Sequence, residues 1–411
     1  MTSRDTLGLL GTGAMGAGIA QVAASHGWHV KLLDTTPAIV DKAIGGIEKR
    51  LQRSVEKGRM TADDAQGALN RLHAVHDPAE LDDCTVLLEA IVEDLDAKVD
   101  AMTPLLDKVP TDAIIATNTS SLSVTDLGER LGTANRTCGM HFFNPAPVMR
   151  LVEVIRGKAT DQEVIDRAVA IATDWGKQVA CAADTPGFIV NRVARPYYLE
   201  AFRCLEDGLA GPDLIDSTMK ELGGFRMGPL ELTDFIGHDV NTATTRTVWN
   251  CWNQPSRLMP SLVQEQLVAE GHLGRKTGAG VYDWSGETPL PLVRPGHDAA
   301  TVDGSLMEPI RKFTMNACSG TDEPVRQVIF TRILCGLLNE AMWAKQDGVG
   351  DTRDIDVAMR YGVNYPRGPF EWLSDIGEPV AQEAMSALEH MTGTGRFIPP
   401  VDPADQIHSP G

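Results

Sequence analysis

Displaced by 140 positions, the chain matches itself without a gap. Arg192, Glu200, Ala201, Asp207, Gly208, Ile215, Asp216, Met219, Gly228, Pro229, Glu231, Ile236 and Gly237 fall on Arg332, Glu340, Ala341, Asp347, Gly348, Ile355, Asp356, Met359, Gly368, Pro369, Glu371, Ile376 and Gly377. Two unrelated amphipathic helices would agree in apolar class but hardly in Asp-Gly and Gly-Pro-x-Glu at one register, so this is an internal duplication. Residues 185–285 and 323–395 must therefore fold alike, and their helical spacing with few strand-like alternations makes both copies all-helical. Each copy has an apolar face to bury. They are predicted to pack on each other through helices beginning near Asn191 and Thr331 about an approximate two-fold axis, an intramolecular pseudo-dimer that favours a monomer. Residues 286–322 contain Pro and Gly without sustained periodicity and are expected to be a linker with at most one helix, able to span roughly 35 Å as a flexible chain. Residues 396–411 are expected to be an extended, Pro-rich tail.

Residues 1–184 have another grammar. The apolar runs Leu7–Gly11, His29–Asp34, Thr85–Ile91, Ala113–Ser121, Cys138–Phe143 and Leu151–Ile155 alternate with helix-length segments, which implies crossovers and a mostly parallel sheet. The first run opens on Gly11-Thr12-Gly13-Ala14-Met15-Gly16, and a helix pattern leads on to His26. Glycines there permit the tight turn and let a pyrophosphate reach the helix N-terminus. Asp34 closes the next strand about 20 residues on, where a carboxylate binds two ribose hydroxyls and repels a 2′-phosphate. Strand, glycine motif, helix, strand and acid in that order specify a Rossmann-type domain that takes NAD rather than NADP.

Charge and cysteine usage exclude other classes. Against 37 basic side chains stand 56 acidic ones, a net charge of −19, which repels phosphate backbones and anionic membrane surfaces; neither nucleic acid nor membrane is an expected partner. Seven scattered cysteines with no C-x-x-C pair read as reduced thiols in a cytoplasmic protein. The N-terminal Met-Thr-Ser-Arg-Asp runs into the first strand without an apolar signal region, so an unprocessed soluble chain is expected.

Several residues could carry chemistry. His141 ends the run Cys138–Phe143, with Asn144-Pro145 behind it, and Glu153 follows twelve residues later in the next run. A histidine at a strand exit with a carboxylate on a neighbouring strand suits proton abstraction from an alcohol, although each alone reads equally as a structural residue. Thr117–Ser121 sits at the carboxyl end of a strand, where open sheets bind ligands, and reads equally as a helix cap. Asn191 begins the first long helix after Pro186-Gly187. Arg50, Arg53 and Lys57 form a basic stripe that an anionic ligand could use, or a solvated helix face. The pairs His26/His29 and His73/His76 lack accompanying Cys or carboxylate ligands, and no metal is assigned.

Taken together in order, GTGAMG, Asp34, EAIVED, NTSSL, HFFNPAPVMRLVEVI, TPGFIVNR, GPLELTDFIG and GRKTGAGVYDW resemble the 3-hydroxyacyl-CoA dehydrogenases, over residues 5 to about 285. The second helical copy resembles that of members whose C-terminal domain is duplicated. The resemblance implies oxidation of an L-3-hydroxyacyl-CoA by NAD in fatty-acid or aromatic-acid degradation, with 3-hydroxybutyryl-CoA and 3-hydroxyadipyl-CoA both open as substrates. It implies His141 as general base and Glu153 as its orienting partner. Ser120 and Asn191 would hydrogen-bond around the reacting oxygen, and Asn144 would hold the nicotinamide side. Glu93 and Lys98 match positions that contact the cofactor. Arg53 and Lys57 become a site for coenzyme A phosphates. Competing readings are a dehydrogenase of a free hydroxy acid or carrier-bound hydroxyacyl group, and a non-catalytic NAD-binding sensor; His141 with Glu153 argues against the last, because binding NAD needs neither. Thr331 at the Asn191 position, without a second nucleotide fold, leaves one active site per chain.

Overall fold

The computed structural model describes residues 5–295, 304–318 and 320–401. The chain divides into two compact units, Met1–Phe188 and Ile189–Gly411.

In the first unit β1 (Thr6–Leu10), α1 (Ala14–Ser25), β2 (His29–Leu33), α2 (Pro37–Glu56), α3 (Ala62–Leu69), β3 (Leu72–Ala74), β4 (Val86–Glu89), α4 (Leu95–Met102), β5 (Ile114–Thr117), α5 (Val124–Leu131), β6 (Thr137–Phe142), β7 (Leu151–Arg156), α6 (Gln162–Asp174) and β8 (Gln178–Ala183) follow one another. They build one eight-stranded sheet in the order β3-β2-β1-β4-β5-β6-β7-β8. Every residue of β4, β5 and β6 is buried, as central strands covered on both faces must be, which is why they read as continuous apolar runs. All neighbours run parallel except β6 and β7. That one reversal places His141 opposite Glu153 in register. The sheet exceeds the six expected strands by β3 and β8. Both are edge strands: β3 is three residues long, and β8 carries Gln-Val-Ala-Cys-Ala-Ala, too small in its side chains to stand out as apolar.

The second unit is helical. Its first copy comprises α7 (Val190–Val193), α8 (Arg195–Glu206), α9 (Pro212–Glu221), α10 (Pro229–Ile236), α11 (His238–Cys251) and α12 (Leu262–Ala269), closed by the short strands β9 (Tyr282–Asp283) and β10 (Leu290–Pro291). Then come α13 (Met307–Ala317), α14 (Pro324–Gln346), α15 (Thr352–Gly362), α16 (Pro369–Ile376) and α17 (Glu378–Thr392). The repeat shows in local chemistry. Asp216 accepts hydrogen bonds from the Leu230 and Glu231 amides, and Asp356 from those of Phe370 and Glu371. A Cβ on Gly228 or Gly368 would lie 2.2 Å from that same aspartate, so both Gly-Pro junctions need glycine for close approach.

Contacts between the copies are reciprocal. Arg192 Nε donates to Glu340 at 2.6 Å and Arg332 Nε to Glu200 at 3.0 Å; Arg192 also reaches Asp347 and Arg332 reaches Asp207, both at 2.6 Å. Each pair is the other displaced by 140 residues, as an isologous contact requires. Part of the expected linker has a different role. Ile310, Phe313, Thr314 and Ala317 of α13 are buried, and the Thr314 hydroxyl lies 3.1 Å from that of Thr331, so this stripe belongs to the core of the second copy. Residues 296–303 and 319 of that segment lie outside the described residues, as does 402–411 of the expected tail. Within 396–401, Arg396 Nε donates to Glu200 at 3.0 Å and Phe397 is buried.

Candidate active site

The turn after β1 needs its glycines. Gly11 has φ +92°, where a Cβ would come 2.7 Å from the Ala90 carbonyl, and a Cβ on Gly16 would lie 1.9 Å from the Gly11 carbonyl oxygen. Around Gly13 the space is open, and α1 starts there without a side-chain cap, so its N-terminal amides are open to an anion. Ala14 and Met15 form the first turn. Asp34 Oδ2 accepts from the amide and hydroxyl of Thr12, both at 2.7 Å, and Oδ1 from the Thr35 amide. These bonds outweigh partial burial and lower its pKa, keeping it an anion. Glycine turn, uncapped helix and fixed carboxylate fit the adenosine and pyrophosphate of NAD.

Three strands along the sheet from β1, β6 carries His141. Its Nδ1 lies 2.7 Å from Glu153 Oε2, with the histidine buried and the carboxylate completely so. With Nδ1 protonated toward Glu153, Nε2 is left with its lone pair, as a general base needs. Phe143 and Phe188 pack about the ring at 4.5 and 5.7 Å between centroids. Asn118 Oδ1 accepts from the Phe142 amide, tying the loop after β5 to the strand that bears the histidine.

That loop is fixed by acids. Glu93 Oε1 accepts from the amides of Ser120 and Ser121 at 2.8 and 3.1 Å and from the Thr119 hydroxyl at 2.7 Å; these bonds lower the Glu93 pKa against its partial burial. Ser120 itself is exposed. Lys98 is buried between Glu89 at 2.6 Å and Glu93 at 3.4 Å. Glu89, also buried, accepts from the Ile91 amide and the Thr117 hydroxyl. Sequence reading missed Glu89, though an acid closing an otherwise apolar strand was a signal that it had buried partners.

Asn144 is exposed and precedes a cis bond to Pro145. The loop beyond it is held from two sides. A Cβ on Gly18 of α1 would lie 3.1 Å from that of Ala146, and Lys177 Nζ donates to the Ala146 and Met149 carbonyls at 2.6 and 2.8 Å. Burial pushes the Lys177 pKa down to about 8. Neither residue was singled out from sequence, because both act on backbone distant in the chain.

On α2 the basic stripe splits. Arg50 turns to α1, with Nε donating to Gln21 at 2.7 Å. Arg53 and Lys57 are exposed, and among the described residues no side-chain hydrogen bond or salt bridge engages them. Asn191 belongs to the second unit, half-buried on α7.

Family models match the chain twice over. The model of the 3-hydroxyacyl-CoA dehydrogenase NAD-binding domain covers residues 6–185, and that of the 3-hydroxyacyl-CoA dehydrogenase C-terminal domain covers both 187–284 and 329–403. The chain is similar to the 3-hydroxyadipyl-CoA dehydrogenase of Escherichia coli K12, 37% identical across 97% of this chain and 96% of the relative. It is 38% identical to the probable 3-hydroxybutyryl-CoA dehydrogenase of Bacillus subtilis across 68% of this chain and 96% of that one. The crystal structure of a 3-hydroxybutyryl-CoA dehydrogenase from Escherichia coli K12 superposes with a TM-score of 0.85, at 36% identity and 98% coverage of each chain.

Proposed function

This chain belongs to the 3-hydroxyacyl-CoA dehydrogenase family, and from that premise we propose that it oxidises an L-3-hydroxyacyl-CoA through His141 and Glu153, with a dicarboxylic acyl group such as 3-hydroxyadipyl as its substrate. The observation that carries the mechanism is the 2.7 Å bond between His141 Nδ1 and the buried Glu153. The Gly11–Gly16 turn and Asp34 would hold NAD, which would supply the hydride acceptor for C3. His141 Nε2 takes the hydroxyl proton as the C3–O bond becomes a carbonyl, and Glu153 stabilises the resulting imidazolium. Ser120 donates to the reacting oxygen; for Asn191, in the second unit, the same role rests on the resemblance alone. Glu93 and Lys98 serve the cofactor by holding Ser120 and its loop in place, and Asn144 lies on the nicotinamide side. Arg53 and Lys57 take the phosphates of coenzyme A.

What supports the dicarboxylic substrate is the full-length likeness to a protein named for 3-hydroxyadipyl-CoA. The tandem copies stand in for two chains, which favours a monomer and leaves further oligomerisation open; the reciprocal arginine–carboxylate bonds and the relative that matches only 68% of the chain support this. Seven cysteines scattered through the sequence with no C-x-x-C pair support a cytoplasmic site in acyl-CoA breakdown. The test is His141→Gln: turnover should fall by about 10²–10⁴-fold while NADH binding, followed by fluorescence, is retained. Parental turnover in that variant would refute the assignment.

A further inference from the structure

His141 stands on a strand end that the sheet supports unequally. The pairing of β5 with β6 stops at Thr117 opposite Gly139, whereas β6 runs on for three more residues, through Met140 and His141 to Phe142. On its other side β6 stays paired with β7 as far as Phe142, which faces Val152. β7 is flanked on both sides, since Glu153 lies between His141 and Ala180 in register. The carboxylate that orients the imidazole is thus carried by a fully laddered strand. The imidazole is carried by one that is laddered on a single side.

Backbone amides point alternately to the two sides of a strand. The Phe142 amide turns to the side of β5, where the ladder has ended, and meets Asn118 Oδ1 at 2.8 Å. Phe142 is 2% exposed, so water is a poor substitute for that acceptor, and a buried amide left without one is costly. The asparagine oxygen does there what a carbonyl of β5 would have done.

Asn118 is itself held in place by the acids behind it. Its own amide donates to the Glu89 carbonyl at 2.8 Å. Its neighbours on both sides are buried, with Thr117 Oγ1 donating to Glu89 Oε2 and Thr119 Oγ1 to Glu93 Oε1, each at 2.7 Å. Lys98 compensates both carboxylates, at 2.6 Å from Glu89 and 3.4 Å from Glu93. The cap of α5 is Ser123, whose hydroxyl accepts from the Asp126 amide. The polar run Thr117–Ser121 is therefore not the start of that helix, and its buried anchors fix Asn118 instead.

We propose that Asn118 is a positioning residue for the dehydrogenase reaction: through the Phe142 amide it fixes where the His141 end of β6 lies, and with it the approach of Nε2 to the hydroxyl proton. This rests on His141 acting as the general base. What the role requires is the acceptor oxygen Oδ1, not the amide donor Nδ2. A reacting group displaced by about 1 Å can cost on the order of 10² in rate. The glycine turn and Asp34, on β1 and β2, do not depend on this bond, so the loss should fall on kcat and spare cofactor binding.

The test compares Asn118→Leu, similar in size without an acceptor, with Asn118→Asp, which keeps an oxygen at the same reach and gives up the amide donor. The full chain is assayed with NAD and with L-3-hydroxyadipyl-CoA or L-3-hydroxybutyryl-CoA, whichever the parent turns over faster. Turnover is expressed per NADH-binding site, titrated by fluorescence, so that a misfolded fraction does not count. Asn118→Leu should lose roughly 10–100-fold in kcat, with KM for NAD and Kd for NADH within about three-fold of the parent. Asn118→Asp should recover most of that loss. A leucine variant at the parental kcat, an equal loss in NADH affinity, or an aspartate variant as slow as the leucine one would overturn the role of Asn118 and leave the dehydrogenase reading standing. If Asn118→Leu does not fold, the aspartate variant decides: kcat near the parent supports the role, and a loss of about 10-fold or more overturns it. Turnover of neither ester by folded, NADH-binding parent would overturn the dehydrogenase reading and this one with it.

Discussion

Glu200 gives the sharpest test of how the two helical copies are held together. It is 2% exposed and receives Arg203 at 2.6 Å from its own copy, Arg332 at 3.0 Å from the other and Arg396 at 3.0 Å from the C-terminal segment. Burial alone would raise its pKa; the three arginines overcome that and hold it at about 2, against an ordinary 4.5. That depression corresponds to about 3 kcal/mol of stability at neutral pH. Glu200→Gln removes the charge, keeps the size and leaves three buried guanidinium groups short of an anion, for which a loss of about 3–5 kcal/mol is typical. In a unit of this size about 3 kcal/mol lowers Tm by roughly 6–12 °C. A lowered pKa means that the contribution is whole above about pH 4.5 and disappears as the pH falls toward 2. Thermal and urea unfolding of parent and variant should accordingly show a gap at pH 7 that narrows below pH 4.5. A variant within about 1 kcal/mol of the parent at pH 7, or a gap that persists undiminished near pH 2.5, would refute this account of the contact.

Asp34→Ala should erode a strong preference for NAD over NADP, measured as the ratio of kcat/KM values; a parent that uses both cofactors equally would contradict the role given to that carboxylate. Replacing Arg53 and Lys57 together with Ala should raise KM for the acyl-CoA and weaken its salt dependence, while a truncated pantetheine thioester is little affected; equal losses for both substrates would show that no phosphate docks there. Lys177→Met leaves the Ala146 and Met149 carbonyls without their donor, so KM for NAD should rise several-fold as the loop after Asn144 loosens, and an unaltered KM would disprove the clamp.

Much of this molecule is local and therefore legible in one dimension. The glycine turn, the helix it opens and Asp34 at the end of β2 lie within a single strand–helix–strand unit, where residue type, spacing and backbone sterics act together. The duplication is equally plain, since Asp-Gly and Gly-Pro-x-Glu are bound to particular turns and close approaches, as the 2.2 Å clearance at Gly228 and Gly368 shows. What periodicity reports is which side of a segment avoids water. It does not report which distant polar group a buried one will meet. Only the reversed direction of β7 makes Glu153 face His141 rather than lie one strand out of register. Only the fold brings Lys177 beneath the loop of Asn144, sets Glu89 between Lys98 and Thr117, and divides Arg50 from Arg53. The same holds for the arginines: Arg192 and Arg195 stand three residues apart in one run of sequence, yet packing gives the first two carboxylates from the other copy and the second none among the described residues. Burial and partnership of charge are properties of the assembled core, where desolvation makes each unpaired group count, and no spacing along the chain encodes them.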